Sequence, residues 1–203
     1  MNGPDGVYER LLQSCNVDPN AIDLGQPPLI SAVQLGSMLV FDQLLRKPNV
    51  EVNIGDQQQR AALWWAVHRG HIEMTQRLLS HEDILIDCTN TKEGLTPLAI
   101  AARYGHLQIM QHLLETGRPN VNFSDNCGQT PIFHAIGRRN QRAFEILLAE
   151  DTINLAHQDN QERSPLSYAV TEGCQFAVEM LLEKGADMYL DEGNRLTAFQ
   201  RAV

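Results

Sequence analysis

The sequence predicts an all-α solenoid of stacked helix-turn-helix units, because three residue types recur in one phase along it. Double leucines stand at Leu11-Leu12, Leu44-Leu45, Leu78-Leu79, Leu113-Leu114, Leu147-Leu148 and Leu181-Leu182, their first members 33, 34, 35, 34 and 34 residues apart. Eight residues before the last five pairs come Gly36, Gly70, Gly105, Arg139 and Gly173. Four residues earlier again lie Ala32, Ala66, Ala101, Ala135 and Ala169, with Ala202 opening a further beat.

The first helix of each unit has a readable start and stop. Thr96, Thr130, Ser164 and Thr197 are of the type that caps a helix N-terminus through its hydroxyl. Pro97, Pro131 and Pro165 then occupy the first helical position, where the missing N–H costs nothing. The glycines eight residues before the leucine pairs suit a left-handed exit from the helix. The double leucine reads as the inner stripe of the second helix, and Asp125, Asp159, Gly94 and Gly128 as tight turns between units.

Each helix is two or three turns long, below the ~12–15 residues at which isolated helices become marginal, so the units must stack to be stable. Residues 1–20 read as a degenerate capping region carrying Leu11-Leu12. Units then run over about 21–54, 55–89, 90–123, 124–157 and 158–190, with a partial unit at 191–203. The last residues, Ala202-Val203, fall inside a first helix, so the array ends in a half-unit or is a piece of a longer one.

The clearest unit reads Gly94-Leu95-Thr96-Pro97-Leu98-Ala99-Ile100-Ala101-Ala102-Arg103-Tyr104-Gly105-His106. Its core returns as Thr130-Pro131-Ile132-Phe133-His134-Ala135 and Ser164-Pro165-Leu166-Ser167-Tyr168-Ala169. Weaker copies are Pro27-Pro28-Leu29-Ile30-Ser31-Ala32 and Ala61-Ala62-Leu63-Trp64-Trp65-Ala66. This pattern resembles the ankyrin repeat over residues 21–203, and its wording is similar to that of fungal ankyrin arrays. Two units depart from it. The second has Ala61-Ala62 for the capping hydroxyl and proline, and Trp64 where the family usually has a histidine. The fourth has Arg139-Asn140 for Gly-His, so Asn140 is expected to take the left-handed turn in a less regular loop.

The chain carries a net charge of −9 with a pI near 5.2, which gives no overall pull toward nucleic acid or an anionic membrane. No stretch approaches the ~18 consecutive apolar residues of a membrane span, and the first residues lack the basic and apolar segments of a signal peptide. Cys15, Cys88, Cys127 and Cys174 form no Cys-x-x-Cys pair and read as reduced thiols of the cytoplasm or nucleus.

The resemblance implies a protein partner on a concave side made of turn tips and exposed faces of the first helices. Carried over by phase, that surface includes Arg60, Trp65, His68, Arg69, Arg103, Tyr104, Gln129, His134, Arg138, Arg163 and Tyr168. Ile100 and the turn-tip Leu95 share its phase. Arginine and aromatic residues dominate interface energetics. Five arginines on one face of an acidic protein therefore point to an acidic or carboxylate-bearing partner segment.

No G-x-S-x-G, G-x-x-x-x-G-K-[ST] or H-E-x-x-H motif occurs, and no metal or cofactor is implied. One chemical alternative stays open. Trp65, Ile100, His134 and Tyr168 hold one helical position in successive units. With Tyr104 and Glu172 nearby, His134 would be the proton carrier of a small-molecule or acid–base pocket. A third alternative is a spacer within a larger sensor or scaffold.

Overall fold

Every helix among the described residues is short, and all but the last pair into hairpins. The structure is a computed structural model describing residues 18–22, 25–190 and 197–202. The expected capping region with Leu11-Leu12 lies almost wholly outside the described residues. The helices are α1 (Pro28–Leu35), α2 (Met38–Leu45), α3 (Ala62–Arg69), α4 (Ile72–Leu79), α5 (Pro97–Tyr104), α6 (Leu107–Glu115), α7 (Pro131–Gly137), α8 (Gln141–Leu148), α9 (Pro165–Thr171), α10 (Gln175–Glu183) and α11 (Ala198–Ala202). They fall into two compact units, divided between Lys92 and Glu93.

In the first unit α1 pairs with α2 and α3 with α4, and α1 also packs against α3. Arg77 of α4 reaches Asp42 of α2 at 3.2 Å, tying the second helices together. In the second unit α5, α7, α9 and α11 pack in sequence as one row. A second row, α6, α8 and α10, lies under it, with Phe144 of α8 meeting Phe176 of α10 edge-on at 5.7 Å.

The three periods become three contacts. Ala32, Ala66, Ala101, Ala135 and Ala169 are buried between helices, where only a methyl group fits the close approach. The first leucine of each described pair (Leu44, Leu78, Leu113, Leu147 and Leu181) is fully buried. The second leucine is more open in each pair, and except for Leu148, which is also buried, it lies at the rim of the expected inner stripe, with Leu182 exposed.

Each of the five hairpins turns through a residue of positive φ, one position after α1, α3 and α5 (Gly36, Gly70 and Gly105) and two after α7 and α9 (Arg139 and Gly173), and the next N–H returns to the buried alanine. His106 N donates to Ala101 O and Asn140 N to Ala135 O, both at 2.9 Å. In the fourth unit the left-handed residue is Arg139 (φ 53), not Asn140. Asn140 instead caps α8, its Oδ1 accepting from Ala143 N at 3.1 Å. The loop keeps the geometry of its glycine counterparts because Arg139 Nη2 donates to Glu172 O at 2.7 Å.

Candidate functional site

The surface begins with a turn built three times around one aspartate. Asp56, Asp125 and Asp159 each stand five residues before the helix-capping position, and each receives the N–H of the residues two and four further on. The residue before the one that closes each turn is left-handed: Gln59 (φ 60), Gly128 (φ 76) and Glu162 (φ 60), with Gly94 (φ 73) in the same place before the third hairpin. Successive tips then join through the backbone, Asn126 N to Glu93 O and Asn160 N to Cys127 O, both at 2.9 Å. Within each compact unit an asparagine links neighbouring repeats lower down: Asn53 Nδ2 donates to Asp83 O at 2.7 Å and Asn122 Nδ2 to Thr152 O at 2.7 Å.

The second carboxylate oxygen takes a different partner in each turn. Asp56 Oδ2 receives Arg60 Nε at 2.8 Å and Trp65 Nε1 at 3.1 Å. Asp125 Oδ2 receives His134 Nε2 at 3.0 Å, and Asp159 Oδ2 receives Arg163 through Nε at 2.9 Å and Nη2 at 2.6 Å. Burial works to raise all three carboxyl pKa values, but these hydrogen bonds outweigh it and hold each below its ordinary value.

These pairings redistribute the residues expected on the partner-facing surface. Arg60 and Arg163 neutralise Asp56 and Asp159, and Arg103 pairs with Glu93 at 2.9 Å, so three of the five arginines already hold a carboxylate of their own chain. Trp65 is not the open anchor expected. Its ring is 9% exposed, lying beneath Arg60 at 4.3 Å and Arg69 at 5.7 Å. Ile100 and Leu95 are buried outright, which removes them from the surface. His68 stacks on Trp64 at 4.9 Å.

In the second unit His134 and Tyr168 are half-buried. Tyr168 packs on Phe133 at 5.4 Å and beneath Arg163 at 4.7 Å, with its hydroxyl over Gly137, where a Cβ would come within 2.8 Å of it. Burial and the nearby Glu172 raise the Tyr168 pKa, opposed by Arg163 and a hydrogen bond with Gln129. Tyr104, Arg138 and Glu172 are exposed, at equivalent places at the C-terminal ends of three packed helices, and Tyr104 is 49% open. Arg69 and Arg138 have no carboxylate partner among the described residues.

Surface depressions lie elsewhere among the described residues. In the second unit one of 580 Å³ runs between α6 and α8, lined by Gln111, His112, Arg142 and Glu145. In the first unit two smaller ones meet at His81. Among the described residues no group of three or more histidine, cysteine, aspartate or glutamate side chains is placed to hold a metal, and no helix is long and apolar enough to cross a membrane.

The hairpins, their left-handed exits and the aspartate turns are those of the family described as Ankyrin repeats, which matches in three copies at residues 1–88, 29–125 and 117–191. The chain belongs to the ankyrin repeat family. Ankyrin repeats are protein–protein interaction modules, and this chain carries such a module. It is 31% identical over 154 residues to the ankyrin repeat and KH domain-containing protein mask-1 of Caenorhabditis elegans, covering 74% of this chain and 6% of that one. It is 28% identical over 139 residues to a probable 26S proteasome regulatory subunit, p28, of Saccharomyces cerevisiae, covering 68% and 60%. The matches thus span less than two thirds of these relatives. The ankyrin repeat domain of Bcl-3 superposes with a TM-score of 0.85 at 23% identity, over 98% of this chain and 89% of that domain.

Proposed function

We propose that this ankyrin repeat module recognises an acidic segment of another protein through the exposed ends of its first helices and its turn tips. The observation that carries the reading is the division of the arginines. Arg60, Arg103 and Arg163 are held by internal carboxylates, whereas Arg69 in the first unit and Arg138 in the second have no carboxylate partner among the described residues and can take a partner's. Arg138 stands in one row with Tyr104, an exposed aromatic residue of the kind that anchors interfaces. The contacts are preset by the turn carboxylates and by close helix packing, which lowers the ordering cost of binding.

The test is selection of a random peptide library on the full chain, compared with the Tyr104→Ala/Arg138→Ala and Arg69→Ala variants. Peptides rich in aspartate and glutamate should be enriched by the native chain and lost in the variants. Equal enrichment of neutral or basic peptides would overturn the acidic-partner reading. We also infer a reducing setting, cytoplasm or nucleus, supported by Cys88, Cys127 and Cys174 all being free thiols. Imaging of the tagged full-length protein tests that placement.

A further inference from the structure

The geometry points to a two-point docking surface on the first unit, where Arg69 takes a carboxylate and Leu35 an aliphatic side chain of one extended partner segment. This rests on the acidic-partner reading above and adds to it a site and a spacing.

Leu35 and Arg69 are the last residues of α1 and α3, two helices packed side by side, and each is followed by a left-handed glycine. They therefore hold the same position in adjacent repeats. Leu35 is 59% exposed, although Leu29, Ile30 and Val33 of the same helix are buried. It is an apolar side chain at a place its own repeat does not use.

Arg69 is prearranged. Its guanidinium lies 5.7 Å from the Trp65 ring centre, and the ring is fixed by Nε1 donating to Asp56 Oδ2 at 3.1 Å. Arg60 covers the same ring at 4.3 Å, but Asp56 neutralises it at 2.7 Å. Arg69 is thus the uncompensated cation of this cluster. A guanidinium stacked on an aromatic ring keeps its edge N–H groups available for a bidentate carboxylate. Charge complementarity selects aspartate or glutamate at this point, and Leu35 selects an aliphatic neighbour.

The spacing follows from the helices. Packed helices lie about 8–10 Å apart, and an extended chain in the polyproline II conformation advances about 3.1 Å per residue and returns a side chain to the same face every third residue. The acidic and aliphatic residues of the partner should therefore stand about three positions apart. A helical segment would need six or seven positions for the same span, at about 1.5 Å per residue.

The probe is a phage-displayed library of random peptides about a dozen residues long, selected on the full chain and sequenced. The native chain should enrich an acidic residue three positions from Leu, Ile or Val. Arg69→Ala should lose the acidic preference and Leu35→Ser the aliphatic one. The strongest native binder, made as a free peptide, should bind Arg69→Lys about tenfold more weakly, because the ammonium keeps the charge and loses the fork. Thermal melts matching the native chain would show that these exposed substitutions leave the fold intact. The same paired motif in the Arg69→Ala and Leu35→Ser pools would overturn the proposal, as would a spacing of six or seven. Acidic enrichment that depends on Arg138 but not on Arg69 would overturn this site while leaving the acidic-partner reading standing. No acidic enrichment at all would overturn both.

Discussion

The Asp125 carboxylate accepts a hydrogen bond from the His134 imidazole across 3.0 Å, at the position where Asp56 is met by Arg60 and Trp65, and Asp159 by Arg163. One structural task, satisfying the second carboxylate oxygen of the aspartate that closes a turn, is thus done by an imidazole N–H in one repeat and by guanidinium groups in two others. The same step along the helix then offers Tyr168 in the fifth repeat, lying beneath Arg163.

The three aspartates should make the fold acid-sensitive. Their folded pKa values lie below the ordinary 3.8, so each adds stability above that value that is lost as pH falls through the folded pKa. Urea unfolding between pH 6 and about pH 2 should show stability declining from about pH 4 downward. Asp56→Asn, Asp125→Asn and Asp159→Asn should each flatten that decline. An undiminished slope in the combined variant would remove these turns as its cause.

Thr96 and Ser164 cap their helices, accepting from Ala99 N at 3.3 Å and Ser167 N at 3.2 Å, whereas the Thr130 hydroxyl is buried without a partner. Thr96→Ala and Ser164→Ala should each cost about 1 kcal/mol. Thr130→Val should be neutral or stabilising, because it replaces an unsatisfied buried hydroxyl with a methyl group. Chemical denaturation of the three variants checks the ranking.

Gln59 and Glu162 adopt the left-handed conformation that Gly94 and Gly128 occupy in the other turns. Gln59→Gly and Glu162→Gly should stabilise by up to about 1 kcal/mol, the usual penalty of a side chain there. Arg139→Gly should gain much less, because it also removes the bond to Glu172 O. Arg139→Ala, with the strain retained and the bond lost, should be the least stable of the set in thermal melts.

The thiols should separate by rate. Burial pushes the Cys88 thiol up to about 12 and raises that of Cys174, while Cys127 sits exposed on a turn tip. In a Cys15→Ser background, a disulfide reagent at pH 8 should label Cys127 first. Cys174, 2% exposed, should be labelled only on unfolding and Cys88, half-buried with its thiol held protonated, far more slowly than Cys127, which peptide mapping by mass spectrometry resolves residue by residue.

Most of the fold could be read ahead of the structure because it rests on backbone geometry that few residue types satisfy. Alanine at the close approach, leucine in the core and proline after the cap each have one physical reason to recur. The turn aspartates Asp125 and Asp159 were readable for the same cause, and Asp56 keeps the same distance from its helix although Ala61 had lost the cap that marks it. The Asn53 and Asn122 links also followed the repeat, but asparagine in a polar loop gives no sign of which carbonyl it will reach.

The candidate surface was harder to read. Phase gives the face of a helix on which Trp65, Ile100 and Arg103 lie, yet their openness depends on neighbours such as Asp56 and Glu93. Arg139 shows a similar limit. A side chain hydrogen-bonded to the next repeat made arginine workable in a glycine position, and that bond is invisible in the periodicity.

Because Asp125 and Asp159 hold their loop tips through main-chain N–H groups, their other oxygens being taken by His134 and Arg163, the outermost letters, Cys127 and Gln161, contribute only their backbone to holding those loops shut. Their identities can drift while the scaffold stays constant. Such a lineage can exchange one client for another by rewriting a few protruding letters, with no renegotiation of how the protein folds.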